Sequence, residues 1–351
     1  MLTFKQLRII GCNGRNIFKM KRINWIDWTK VVAIIFVVFG HVPQERGNFL
    51  IGYICSFHMP LFFMLSGLLA KPNANMRTDV VKQWHALIKP YLLYNLLFYP
   101  YWVVRFLLEN RNDFVFSDII IKPFLGVLFL QIDTPISCRV NGVTWFLAAL
   151  LVMRMLMNLF CQYKKAFVFQ IISAFFVLII YDIFQKYNLF NNLFMVGFLK
   201  CYPFYVGGYL LKKHLCYSKS SLLNNATVAL CFYVISLILY FYPQSDILAI
   251  RLSMSWLIAL TGSFSVIFTC RLLDGFSNTT LVRLSSGTIV IMGLHWMFIG
   301  TINYAVEKCF AISDVVYEWY AAVLLTLTIC VAIYPLIFLF QRYCPALLGK
   351  R

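Results

Sequence analysis

Long apolar stretches, separated by short and mostly basic connections, follow one another from residue 26 almost to the C-terminus. A helix rises 1.5 Å per residue, so about 20 mostly apolar residues cross the hydrocarbon of a bilayer. Ten stretches approach that size: Ile26–Val42, Phe49–Ala70, Ala86–Leu108, Val143–Phe160, Ala166–Phe184, Leu193–Leu211, Leu222–Tyr242, Ile250–Cys270, Leu284–Val306 and Trp319–Phe340. The run Ile119–Leu130 is apolar but only a dozen residues long, which suits a re-entrant or interfacial piece. It sits in the longest polar-leaning gap, Glu109–Gly142, a length at which a loop in a compact bundle is usually functional or disordered, and here a lid or an acceptor-binding wall is expected. The pattern predicts an all-α, polytopic membrane bundle of about ten transmembrane helices. Around it lie a basic cytoplasmic segment, residues 1–25, a membrane domain, residues 26–341, and a cytoplasmic tail, residues 342–351.

Composition agrees with the pattern. Apolar residues make up 61% of the 351, charged residues 13%, and the mean hydropathy is +0.77, whereas soluble domains carry roughly 25% charged residues. The formal charge of +18 would ordinarily raise nucleic-acid binding. Its distribution says otherwise. With the N-terminus inside, 19 Lys and Arg fall on the cytoplasmic side and 7 on the outer side, the positive-inside bias of a multi-pass membrane protein. The charge therefore reports topology, and no nucleic-acid partner is expected. Asp27 and Lys30 interrupt the first span and no small-residue cleavage site follows Val42, so that span is expected to be retained rather than removed as a signal peptide. The eleven cysteines show no C-x-x-C spacing and acidic residues are scarce, so no metal site is expected.

Ionisable groups at membrane depth cost about 2.5 to 3.5 kcal/mol each on insertion scales and mark functional sites by default. Asp27, Lys30, His41 and His58 all fall within the first two spans. Eleven helical residues separate Lys30 from His41, giving about 16 Å of rise and close to three full turns, so both side chains share one face. Such a groove suits a donor with an anionic head and a long thin arm. Singly, each residue has a plainer role: a lysine near a helix end snorkels to the interface, and a histidine hydrogen-bonds a neighbouring helix. Their coincidence favours a polar site, with Asp27 and Lys30 able to pair across i, i+3.

The stretch IDWTKVVAIIFVVFGHV followed by FHMPLFFMLSGLL resembles the opening of the acyltransferase 3 family, polytopic enzymes that O-acylate carbohydrates. The family's basic residue, ten intervening residues and histidine correspond to Lys30 and His41. TWFL around Trp145, YPFYVGGYLLKK from Tyr202 to Lys213, and SSGTIVIMGLHWM near His295 resemble later family segments. The resemblance implies transfer of an acyl group, usually acetyl, from cytosolic acyl-CoA to a hydroxyl of an exported or cell-surface glycan, such as an exopolysaccharide, capsule or lipid-linked sugar, in a bacterial inner membrane. The partners are then acyl-CoA, the carbohydrate acceptor and membrane lipid, with no permanently bound cofactor.

Acyl transfer to an alcohol needs a base near the hydroxyl, and histidine titrates in the useful range. His41 is the expected base or transient acyl carrier; His58 either orients it, serves as a second acid-base group, or caps a helix break before Pro60. Lys30, supported by Asp27, would position donor phosphates. Trp145, Tyr205 and His295 are candidates for a channel or acceptor wall, although aromatic residues are 18% of the chain and most simply pack. Gly207 and Gly208 are expected to permit close helix approach. A glycan transporter or flippase remains the alternative, with Pro90, Pro100 and Pro203 as sites for helices broken around a midplane site. A membrane glycosyltransferase is disfavoured for want of catalytic carboxylates.

Overall fold

A computed structural model describes residues 22–45, 47–72, 75–109, 115–131, 133–163, 165–187, 193–217, 221–243, 247–312 and 314–350. Most of the basic N-terminal segment lies outside the described residues. The protein is all-α. Its helices are α1 Asn24–His41, α2 Phe49–Leu68, α3 Met76–Gln83, α4 Lys89–Glu109, α5 Phe116–Ile119, α6 Ile121–Leu128, α7 Trp145–Cys161, α8 Ala166–Tyr187, α9 Leu193–Tyr217, α10 Leu222–Phe241, α11 Leu248–Leu272, α12 Thr279–Ser286, α13 Thr288–Phe310 and α14 Trp319–Tyr343. Eight of them (α2, α7 with the turn before it, α8 to α11, α13 and α14) are long and apolar enough to cross a membrane, and the protein is a polytopic helical membrane protein.

Two of the ten expected spans are helical without reaching that apolarity. Helix α1 is only 18 residues long and carries Asn24, Asp27, Lys30 and His41; α4 carries Lys89, Asn95, Arg105 and Glu109 with Pro90 and Pro100. The expected single span Leu284–Val306 is also divided. The chain ends α12 at Ser286 and restarts α13 at Thr288, with Gly287 between them pressed on the side chain of Ile337 from α14, where a Cβ would collide. Conversely, Pro60, Pro100 and Pro203 do not break their helices, which run through all three. Pro90 does leave a mark. It has no N–H to offer the carbonyl of Ala86, and the turn Trp84–Ile88 loosens into a π-helix that feeds α4, with the Lys89 N–H reaching back to the Trp84 carbonyl.

Small residues set the closest crossing. A Cβ on Gly67 of α2 would strike the Tyr205 carbonyl of α9, and one on Gly208 would strike the Met64 carbonyl, so the two backbones touch. Gly207 by contrast faces open space. Helices α1, α2, α9 and α11 pack around this crossing, α13 and α14 close the far side of α1, and α10 lies outside, along α11.

The described residues of the gap between α4 and α7 pack against the bundle. Tyr99 donates to the Ile119 carbonyl at 2.7 Å and Tyr91 to the Val127 carbonyl at 2.6 Å. Those tyrosines are eight residues, about 12 Å, apart on α4, so α5 and α6 run back along α4 toward its N-terminal end, as a re-entrant piece would. Leu130 and Gln131 then reverse the chain in left-handed conformations, at φ 57° and 66°. Such backbone persists in non-glycine residues only when its surroundings hold it. The buried Gln131 amide does so, donating to Asn95 Oδ1 at 2.8 Å and accepting from the Val140 N–H at 3.0 Å. Asn95 donates on to Thr144 Oγ1 at 3.1 Å, and Asn141 donates to the Gly293 carbonyl of α13 at 3.1 Å. This buried polar chain fixes the start of α7.

Candidate active site

A cavity of about 350 Å³ runs through the core along one face of α1, from Lys30 at one end past Ile34 and Val37 to His41 at the other. The periodicity expected from the sequence is realised: residues spaced at three and four positions line one channel. Its remaining walls are Met59, Phe62 and Ser66 of α2, Trp145, Phe146, Leu150 and Arg154 of α7, and Met292 of α13. The helix break at Gly287 brings Ser285, Ser286 and Thr288 to the Lys30 end, opposite Ala86 and Leu87 of the π-turn. The C-terminus adds Leu348 and Gly349, because the turn Pro345–Leu348 folds back, accepting a hydrogen bond from Tyr94 to the Leu347 carbonyl at 3.1 Å.

At the deep end, His41 Nδ1 lies 2.8 Å from the Val37 carbonyl, one turn back on its own helix. A carbonyl only accepts, so Nδ1 carries the proton and Nε2 presents its lone pair. His295 of α13 stands behind it, fully buried, with its Nε2 3.4 Å from His41 Nδ1. Trp296 presents its ring to His41 edge-on at 6.3 Å between centroids. His58 lies close by but makes no hydrogen bond to His41 among the described residues: it is buried on α2 beside Gly40, and its Nδ1 lies 3.1 Å from the Ile54 carbonyl.

At the other end the expected Asp27–Lys30 pair is absent. Asp27 is buried, receives Arg22 Nε at 2.5 Å and the Ser285 hydroxyl, and so ties the start of α1 to α12. Its carboxylate is satisfied there, and Lys30 makes no ion pair among the described residues. Lys30 instead faces the cavity together with Arg154. A second cavity of about 260 Å³ adjoins the first at Leu69, Ala86 and Arg154 and is lined by Lys71, Lys82, Asp79, Gln83, Asn158 and Tyr205. Asp79 is held by Gln83 and Asn158, and Gln83 accepts from Arg154 at 3.2 Å. Three cations therefore surround this space against one carboxylate. The Tyr205 hydroxyl is buried with no hydrogen-bond partner among the described residues.

Of the residues singled out in the sequence, the structure gathers Lys30, His41 and Trp145 along one cavity and sets His295 against His41. Trp145 is seated on Gly197, where a Cβ would clash with its ring. Tyr205 belongs to the second cavity, Asp27 to a brace at the mouth, and His58 to packing behind His41. Arg154, Ser285, Ser286 and Leu348 were not anticipated as cavity residues. Arg154 was within reach, because an arginine in the middle of an apolar span is itself a flag.

The fold and the cavity define a helical membrane protein with a cation-lined entrance leading to a histidine in its core. An acyltransferase domain model of the acyltransferase 3 family matches residues 23–335, nearly the whole described chain. The chain belongs to that family and is a membrane acyltransferase. No curated protein and no solved structure matches it.

Proposed function

We propose that the protein transfers an acetyl group from acetyl-CoA, entering at the Lys30 end of the cavity, to a hydroxyl of an exported or cell-surface glycan that meets the thioester at His41. The observation that carries this is one continuous cavity with Lys30 and Arg154 at one end and a histidine bearing a free Nε2 about 16 Å of helix away at the other. Lys30 and Arg154, with Lys71 and Lys82 of the adjoining cavity, supply positive charge for the phosphates, while the apolar walls suit a thin arm. The positive-inside bias supports a cytosolic position for that end and for the N-terminus, on the side where acyl-CoA is made.

The chemistry then needs little else from the protein. His41 Nε2 takes the proton of the acceptor hydroxyl as its oxygen attacks the thioester carbonyl, and the tetrahedral intermediate collapses with loss of the thiolate. The proton passes from Nε2 to the departing sulfur, so ester and free thiol are the products and the histidine is regenerated. Asp27 contributes by bracing α1, and His58 by packing against it.

The test is transfer of radiolabel from acetyl-CoA to glycan extracts by protein reconstituted in lipid. Label in the glycan with the wild type, and none with His41→Ala, is the expected result. Failure to bind CoA, with glycan crossing the bilayer normally in both, would overturn the reading in favour of a transporter.

A further inference from the structure

His295 was expected on a channel wall, but it does not line the cavity and is fully buried, so it has no route to a substrate. It is placed instead to act on His41. Its Nδ1 lies 2.9 Å from the Ile291 carbonyl and therefore carries the proton, which leaves Nε2 of the neutral ring as an acceptor. That acceptor lies 3.4 Å from His41 Nδ1, whose proton is shared with the Val37 carbonyl at 2.8 Å. The two rings meet edge to face, 4.9 Å apart at 63°. Helices α1 and α13 thus share an ordered relay of hydrogen bonds from the Ile291 carbonyl through both imidazoles, with one bare nitrogen, His41 Nε2, at its free end.

We propose that His295 is a positioning residue for the transfer, whose Nε2 lone pair holds the His41 ring and shares the positive charge that forms on it when Nε2 takes the acceptor's proton. The inference rests on His41 being the base. Catalytic histidines are commonly oriented by a carboxylate, which places a negative charge behind the ring. In the core of a membrane protein a lone carboxylate is costly, and among the described residues no Asp or Glu is hydrogen-bonded or ion-paired to either imidazole. A neutral histidine supplies the same acceptor without a standing charge. The proton count closes: the acceptor's proton resides on His41 Nε2 until the thiolate takes it, His41 Nδ1–H keeps its own proton throughout, and His295 exchanges none. Residues Val37 and Ile291 sit one turn before the two histidines, so each ring is also anchored to its own helix, and the His295 Nε2 contact adds the second point that sets the His41 ring.

The test compares His295→Leu, which keeps the volume but has no acceptor, with His295→Gln, whose amide oxygen falls near the lost Nε2. Both are purified in lipid, checked for thermal stability, and assayed for acetyl transfer at varied acetyl-CoA. The expected result is a kcat at least about tenfold lower in His295→Leu with KM for acetyl-CoA unchanged, and most of kcat restored in His295→Gln. Wild-type kcat in His295→Leu, or equal losses in two stably folded variants, would overturn the inference. His41→Ala is run alongside: if it still transfers, the role of His41 fails too, whereas if it alone is inactive only the role of His295 falls.

Discussion

Helices α1 and α10 are similar in length and opposite in behaviour. Helix α10 has a mean hydropathy of 2.0 over its best window, of which 17% is buried, and it shows Leu230 and Ile238 to the outside. Helix α1 falls short of the apolarity of a membrane span, yet most of its turns are buried and it supplies both ends of the cavity. Apolar helices in a bilayer lose nothing by facing lipid, so the most apolar segments form the periphery. A helix bearing Asp27, Lys30 and His41 must be surrounded by other helices, so poor hydropathy marks the centre. Both ends of the cavity therefore lie on a helix that looks little like a span.

That contrast can be broken in several places. The largest effect is expected where core backbones touch. Gly208→Leu should abolish recovery of folded protein, since overpacking costs about 1 to 3 kcal/mol even against movable side chains and here the obstacle is the Met64 carbonyl. Gly207→Leu, one residue earlier, faces open space and should melt like the wild type in a thermal-stability assay. Next comes the cavity itself. Leu150→Trp fills its middle, and acetyl-CoA affinity measured by calorimetry should fall at least about tenfold, or by about 1.4 kcal/mol, with the protein still folded. Lys30→Ala should raise the KM for acetyl-CoA about tenfold while leaving kcat near the wild-type value, as removal of binding shared by ground and transition states does. A change in kcat instead would put Lys30 at the chemistry rather than at the entrance. The smallest effect belongs to α10: Leu230→Ala should shift stability by no more than about 0.5 kcal/mol and leave transfer unchanged. A loss there would mean that α10 contacts a partner rather than lipid.

Much of this arrangement was legible in the sequence because it depends on a single helix. The shared face of Lys30 and His41 follows from eleven residues of helical phase, and the re-entrant run from being a dozen residues long. What was missed depends on contacts between distant segments. Asp27 pairs with Arg22 and Ser285 rather than Lys30 because the α12–α13 break brings a hydroxyl to it, and that break, at Gly287, was hidden inside an apolar run drawn as one span. Pro60, Pro100 and Pro203 promised interruptions, yet the helices run through all three. The return of Leu348 to the cavity mouth relies on Tyr94, 253 residues from Leu347, and no local pattern announces it.

The central claim is that one cavity separates donor binding at Lys30 from chemistry at His41. Measuring acetyl-CoA binding and single-turnover transfer on the same preparation of His41→Ala tests it most directly. The expected result is acetyl-CoA bound with wild-type affinity and no transfer. Transfer at the wild-type rate, or loss of binding along with it in a stably folded variant, would contradict it.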